Sequence, residues 1–303
     1  MRFSIFQESR QGKRQYNQDR VGYIYSRDAL MIVVADGMGG HSNGEVAAQI
    51  TVDTLGRKFQ VEARPRLPDP LRFLHEGILS AHNAILSHTD KAALLETPRT
   101  TIVAAVIQNG SAVWAHVGDS RLYILRNGQA VAQTKDHSRI QQLVDQGLVR
   151  EEAAAVHPER NKIFNCLGAH IPPQIELSGK FAMEPRDTML LCSDGVWGPV
   201  PSRLLATSFL TEGLPAAVRK LMDEAEQRAG ADADNLSAVA MNWDDTAVVS
   251  DAVSTLTLPP GTFNSQMDLP EADAPTDSWS DDEIDKAIAE IKTALAKTGR
   301  RGP

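Results

Sequence analysis

Apolar residues fall in short bursts along this chain, and their spacing switches between two periods. Leu30-Met31-Ile32-Val33-Val34 is a continuous apolar run of strand-forming types, as expected for a strand covered on both faces. Residues 3–7 and Val21-Gly22-Tyr23-Ile24-Tyr25 predict strands just before it. Three strands so close together leave no room for crossover helices, so the sheet is expected to be antiparallel. The period then changes. Val46, Ala47, Ile50, Thr54 and Leu55 mark a helix from about Asn43 to Phe59, opened by a capping box at Ser42 and Glu45. Leu71, Leu74, Ile78, Ile85 and Leu86 mark a second helix after Pro68 and Pro70.

Strand patterns resume at residues 100–107, 112–117 and 122–125, separated by Asn109-Gly110 and, further on, followed by Asn127-Gly128, both hairpin pairs. Residues 134–173 are polar and partly helical, with Ile140, Leu143 and Val144 inward, and read as a lid between strands. Strands return at 175–177, 188–192 and 236–241, with helices near 201–210 and 214–229 between the last two. Beyond Trp243 the composition turns to proline and scattered acids, so residues 246–278 read as a flexible linker. Ile284, Ile288, Ile291 and Leu295, after a capping box at Ser280 and Glu283, predict an amphipathic helix over 279–303 that needs a surface to lie on.

Composition narrows the setting. A chain of 303 residues can hold one large domain with an appendage. Its net charge of −8 speaks against nucleic acid and anionic membranes as main partners, while a cation in one cleft could still draw a phosphorylated substrate. No apolar run approaches a membrane span, and the apolar start breaks too early for a signal peptide. Two cysteines, Cys166 and Cys192, have no metal-like spacing and fit a reducing cytoplasm. His75 and His82 share a helix without acidic or thiol partners and read as surface or core-edge residues.

The candidate chemistry lies at strand ends. Asp36, Asp119, Asp194 and Asp234 each stand at or beside the end of an apolar strand, next to Gly, Ser or Asn, and Asp19 stands just before one. Taken singly, each is a turn residue. Brought together, they would raise one another's pKa unless a cation neutralised them, and an all-oxygen set favours Mg²⁺ or Mn²⁺ over zinc.

Their order carries a resemblance. Arg14-x-x-Asn17-Gln18-Asp19, Ala35-Asp36-Gly37-Met38-Gly39-Gly40-His41, Arg99-Thr100-Thr101, Val117-Gly118-Asp119-Ser120-Arg121, Ser193-Asp194-Gly195-Val196-Trp197 and Asp234-Asn235-Leu236-Ser237 follow one another at sensible separations. Together they resemble the bacterial metal-dependent serine/threonine protein phosphatases of the PP2C type, over roughly residues 1–243. The resemblance implies an α+β fold, an α-β-β-α sandwich of two mainly antiparallel sheets flanked by helices, with 134–173 as the flap. It implies a phosphatase domain over 1–245, hydrolysing phosphoserine and phosphothreonine proteins with two Mn²⁺ or Mg²⁺ ions and a possible third. Asp36 is then expected to bridge the catalytic ions, with the Gly37 carbonyl on one and Asp194 and Asp234 on the other. Asp119, with Asp194, matches the third position. Arg14 matches the arginine that grips the substrate phosphate, Asp19 supports the attacking water directly or from behind, and Asn235 orients its neighbouring aspartate. A Ser/Thr kinase is the expected counterpart, with the C-terminal helix a possible docking element for a partner. The alternative is a pseudophosphatase that binds phosphoproteins or regulates a kinase complex; retention of all the aspartates speaks against it.

Three departures from the family pattern stand out: Gln18 where many members have Glu, Met38 where eukaryotic members have a histidine acid, and Arg99 in place of Gly before Thr100.

Overall fold

The computed structural model describes residues 1–39, 43–150, 153, 157–159, 162–243, 252–256, 258–259 and 261–267. Its strands, in chain order, are β1 (Arg2–Arg10), β2 (Asp19–Tyr25), β3 (Ala29–Met38), β4 (Arg99–Thr100), β5 (Ile102–Gln108), β6 (Ser111–Val117), β7 (Arg121–Arg126) and β8 (Gln129–Gln133), then β9 (Glu176–Leu177), β10 (Phe181–Ala182), β11 (Thr188–Cys192), β12 (Leu236–Trp243), β13 (Ala252–Ser254) and β14 (Asn264–Ser265). The helices are α1 (Gly44–Glu62), α2 (Pro70–Lys91), α3 (Arg139–Asp145), α4 (Asp194–Trp197), α5 (Ser202–Thr207) and α6 (Leu214–Ala229).

A six-stranded sheet runs β13-β1-β12-β11-β7-β8 and an eight-stranded one runs β10-β6-β5-β3-β2-β14, with β4 and β9 as side pairings. Among the described residues every named strand pairing is antiparallel. Asn109 and Asn127 adopt φ of 53° and 51°, followed by positive-φ glycines, as their hairpins require.

Strand period decides the layers. In β3, Leu30, Ile32 and Val34 join Ile124, Leu191, Val239 and Met241 in the core between the sheets. Met31, Val33 and Ala35 are equally buried on the opposite face, the side of α1 and α2. In β11 and β12, Leu190, Cys192, Ala238 and Ala240 turn outward to meet Leu205, Leu214, Val218 and Leu221 of α5 and α6. Both sheets are thus covered on both faces, which is why their strands read as unbroken apolar runs. The α-β-β-α sandwich is the observed fold.

Two local expectations change. Helix α1 begins at Gly44 with Asn43 as its left-handed N-cap and no side-chain cap bond, so Glu45 does not occupy a capping-box position; Ser42 and His41 lie outside the described residues. The linker expected over 246–278 is corrected for its described part. Ala252–Ser254 pair with β1 and Asn264–Ser265 with β2, extending one edge of each sheet. Thr255 Oγ1 takes a hydrogen bond from the Met1 amine at 2.8 Å and donates to the Arg27 carbonyl at 2.6 Å. Proline content marked this segment as irregular; backbone pairing to open sheet edges, which composition does not encode, orders it. The compact unit runs to Asp268. The expected helix over 279–303 lies outside the described residues, as does most of the acidic, alanine-rich stretch around 151–156.

Candidate metal centre

Each inter-sheet row of apolar residues ends, at the same edge of the sandwich, in an oxygen-bearing side chain. Leu30, Ile32 and Val34 lead to Asp36; Tyr23 and Val21 lead to Asp19; Met189 and Leu191 lead to Ser193; Met241 and Val239 lead to Ser237. Alternation guarantees that these groups keep facing inward where the apolar filling stops. Asp19 stands directly opposite Asp36 in the β2–β3 register. Ser193 Oγ donates to Asp19 Oδ2 at 2.7 Å, which joins the two sheets at that edge.

The remaining aspartates arrive on loops. Asp119 sits between β6 and β7, Asp194 opens α4, and Asp234 precedes β12. Asp19 and Asp119 are buried, whereas Asp36 and Asp194 keep partial exposure. Asp36 and Asp194 lie within hydrogen-bonding reach of each other. Burial, then the charge of Asp19, with Asp194, Asp119 and Asp234 adding to it, holds Asp36 well above the ordinary carboxylate range. Burial followed by Asp194 and Asp136 does the same for Asp119. Burial pushes Asp19 up to about 7, and burial with the Asp234 charge pushes Asp194 up to about 6. So many inward carboxylates repel unless protons or cations share the space.

The residues fit a hard divalent cation. Asp19 Oδ1 is buried without a hydrogen-bond partner, and buried acceptors are rarely left so. The donors are all oxygen, with no thiol or imidazole in the set. Gly37 follows Asp36 where space closes: a Cβ there would lie 2.6 Å from the Gln18 carbonyl and closer still to the Gly44 backbone. Asp36 itself is held by its backbone, whose carbonyl accepts from Thr101 N–H and Thr100 Oγ1, each at 2.9 Å.

Arg14 reaches the cluster from the loop after β1. Its Nε and Nη2 donate to both oxygens of Asp234 at 2.7 and 2.6 Å, and its side chain stays 59% exposed. Asn235 serves two groups at once. Its backbone N–H donates to Asp234 Oδ1, but its side chain faces the Arg14 loop. Asn235 Nδ2 donates to the Gln11 and Tyr16 carbonyls, and its Oδ1 accepts from Gln18 N–H. The asparagine therefore pins the loop that carries Arg14, Gln18 and Asp19. Gly12, at φ 62°, packs against the Asp234 carbonyl in the same seam.

Ser193, Ser237 and Thr101 stand within the sequence motifs without a role of their own, and the structure supplies one. Ser193 Oγ also accepts from Ser237 N–H at 3.0 Å, and Ser237 Oγ shares a 2.7 Å bond with Ser9 Oγ. The signal was a strand alternation that changes to a hydroxyl at its last inward position.

A sequence model of the family described as Protein phosphatase 2C matches residues 6–236. The chain belongs to that family. It is 32% identical over 222 residues to a 2C-type protein phosphatase of Streptococcus pyogenes, covering 73% of this chain and 89% of the relative. Its fold is similar to the crystal structure of the serine/threonine phosphatase PstP/Ppp of Mycobacterium tuberculosis, at TM-score 0.70 and 30% identity, covering 81% of this chain and all of that one. A PstP catalytic domain solved with two manganese ions gives TM-score 0.68 at 28% identity, covering 80% of this chain and 99% of that one.

Other groups read as structural. His82 is buried and its Nδ1 accepts from Gly168 N–H, while His75 is exposed. Burial pushes the Cys192 thiol up to about 12, which rules it out as a thiolate nucleophile near neutral pH. His116, His137 and Glu176 bring donor atoms within 4.8 Å of one another. The two rings stack at 4.6 Å and 22°, so their in-plane lone pairs do not converge, and His137 Nδ1 already accepts from Gly118 and Asn165.

Proposed function

We infer that this chain is a metal-dependent phosphatase acting on phosphoserine and phosphothreonine in proteins. The observation that carries the reading is the inward cluster of Asp19, Asp36, Asp119 and Asp194, with Asp234 beside it, at one edge of a protein phosphatase 2C fold. Mn²⁺ or Mg²⁺ held there supplies charge that acidifies water and offsets the phosphoryl oxygens. Asp36, on which the charges of Asp19, Asp194, Asp119 and Asp234 all act, is assigned as the shared ligand, with the Gly37 carbonyl beside it. Asp194 and Asp234 are assigned to one ion, and Asp119 with Asp194 to a weaker one. Asp19 Oδ1 can hold a proton or a cation at an atom that has no other partner.

Arg14 is assigned to the substrate phosphate, for which a partly exposed guanidinium fork is suited. In the structure Asp234 engages the Nε and Nη2 edge of that guanidinium, which leaves the Nη1 side of the fork for a phosphate. Met38 brings no proton donor to the position next to Gly37.

The natural counterpart proposed for this activity is a serine/threonine kinase, with the segment over 279–303 as a docking element. Two free, buried cysteines support a cytoplasmic setting. Among the described residues no helix is long and apolar enough to cross a membrane.

Hydrolysis of a phosphothreonine peptide with Mn²⁺, with EDTA, and in Asp194→Asn tests the reading. Turnover that needs Mn²⁺ and is lost in Asp194→Asn is expected. Full turnover in EDTA, or in Asp194→Asn, overturns the site assignment. No turnover with any divalent ion overturns the activity.

A further inference from the structure

Asp119 is held through its backbone by residues outside the carboxylate cluster. Trp197, on α4 three residues after Asp194, donates its indole N–H to the Asp119 carbonyl at 2.9 Å. The Arg121 guanidinium lies 3.4 Å from the centroid of the Trp197 ring and so fixes its plane. Arg121 is fixed in turn by a two-pronged bond to Asp136, with Nε and Nη2 each at 2.8 Å from a carboxylate oxygen, and by Nη1 to the Tyr123 hydroxyl at 3.0 Å. The ion pair is sheltered, with side chains 16% and 4% exposed. A buried fork of this kind fixes direction as well as charge.

Asp136 belongs to the root of the flap. Its neighbour His137 holds both backbone polar groups of Gly118, the residue before Asp119. His137 N–H donates to the Gly118 carbonyl at 2.9 Å, and Gly118 N–H donates to His137 Nδ1 at 3.2 Å. Asn165, further along the flap segment, and Gln174, just beyond it, lock that ring: Asn165 Nδ2 donates to His137 Nδ1 at 2.7 Å and to the Gln174 carbonyl at 2.7 Å. Gly118 and Asp119 are therefore bound to the flap root by two routes, one through His137 and one through Asp136, Arg121 and Trp197. No other described side chain donates to the Asp119 carbonyl.

We propose that Trp197, oriented by the Arg121–Asp136 pair, is a positioning residue for Asp119, and that the flap root thereby sets the affinity of the cation Asp119 helps to hold. This rests on the assignment of Asp119 as a cation ligand. The role assigned to Trp197 is to fix, through its indole N–H, the peptide from which the Asp119 carboxylate projects. Loss of its N–H leaves the carboxylate in place but free to swing, a loss that falls on the weaker cation Asp119 shares with Asp194 and spares the ions assigned to Asp36 and to the Asp194–Asp234 pair.

The test is equilibrium Mn²⁺ binding to the full chain, read by the electron-paramagnetic signal of free Mn²⁺, for wild type, Trp197→Phe, Asp136→Asn, Asp119→Ala and the Trp197→Phe/Asp119→Ala double variant. Phenylalanine keeps the ring under Arg121 and removes only the donor. The expected result is that Trp197→Phe weakens the weakest class of Mn²⁺ site by about tenfold or more and leaves tighter sites within about twofold. Asp136→Asn moves the same class in the same direction. In the Asp119→Ala background, Trp197→Phe changes nothing further. Unchanged binding in Trp197→Phe, loss spread equally over all sites, or additive loss in the double variant overturns the proposal. So does a wild-type isotherm that loses no class of site in Asp119→Ala. Phosphopeptide turnover by wild type is measured alongside: its absence overturns the phosphatase reading, while the binding experiment still decides the role of Trp197.

Discussion

Ser193 Oγ donates to Asp19 Oδ2 at 2.7 Å, so the end of a strand in one sheet holds the first carboxylate of a strand in the other. The same hydroxyl accepts from Ser237 N–H, and both serines are buried. Ser193→Ala leaves that N–H without a partner and removes a donor that favours ionised Asp19. The expected cost is about 1–3 kcal/mol, read as a lower melting temperature in EDTA. An unchanged melting temperature would show the bond to be dispensable.

Asp36→Asn separates stability from activity. The substitution removes one charge from a group that Asp19, Asp194, Asp119 and Asp234 all oppose. Without divalent ions, the variant is expected to melt about 2–4 °C higher, the shift for roughly 1 kcal/mol in a domain of this size. With Mn²⁺ its phosphopeptide turnover is expected to fall about a hundredfold or more. A variant that melts lower in EDTA would show that repulsion among these carboxylates is outweighed by what Asp36 contributes to the fold.

The pH dependence of stability in EDTA follows from Asp19 and Asp194. Both lie above the ordinary value of 3.8, at about 7 and about 6. As pH rises, the unfolded chain loses these protons first, while the folded chain keeps them until about pH 6 to 7. The folded state then binds more protons, so stability is greatest at the acid side of that window and declines as pH rises through it. Melts at about pH 5 and about pH 8 should show the decline in EDTA, and saturating Mn²⁺ should remove or reverse it by holding the ionised forms. A higher melting temperature at the alkaline end in EDTA would contradict the cluster's electrostatics.

Arg14→Ala is expected to act on substrate more than on the fold. The guanidinium is 59% exposed, and a pair so open is worth no more than about 1 kcal/mol to stability. Each charged hydrogen bond to a phosphate is worth about 1.5–3 kcal/mol, so KM for a phosphothreonine peptide should rise about tenfold or more. A changed kcat with constant KM would remove Arg14 from phosphate binding.

Chains cut after Trp243 and after Asp268 should differ in stability. The shorter one loses β13, β14 and the Thr255 bonds to Met1 and Arg27, a loss of at least about 2 kcal/mol at about 1 kcal/mol for each hydrogen bond. Equal urea midpoints for the two chains would return residues 252–267 to the role of linker.

Much of the fold was legible because its signals are local. Asn109-Gly110 and Asn127-Gly128 can turn a chain without tertiary help, and a run such as Leu30 to Val34 has few places to go except a sheet covered on both faces. The aspartates were legible as a set for the same reason: each stands where an apolar run breaks, and the fold brings Asp19, Asp119, Asp194 and Asp234 within reach of the charge of Asp36. Which groups those carboxylates meet was decided by strand register and loop closure. Nothing local pairs Asp19 with Ser193, 174 residues away, or turns the Asn235 side chain toward Gln11 and Tyr16 while its backbone serves Asp234. The strands at 252–254 and 264–265 were hidden for a related reason. Their apolar residues are too few and too scattered to show a period, and what makes them strands lies elsewhere in the molecule: an open edge of backbone donors and acceptors, and a core on which Val253 and Leu258 can pack. Local pattern determined the elements and the candidate ligands; long-range hydrogen bonding, which depends on where the chain returns, decided how those ligands are held.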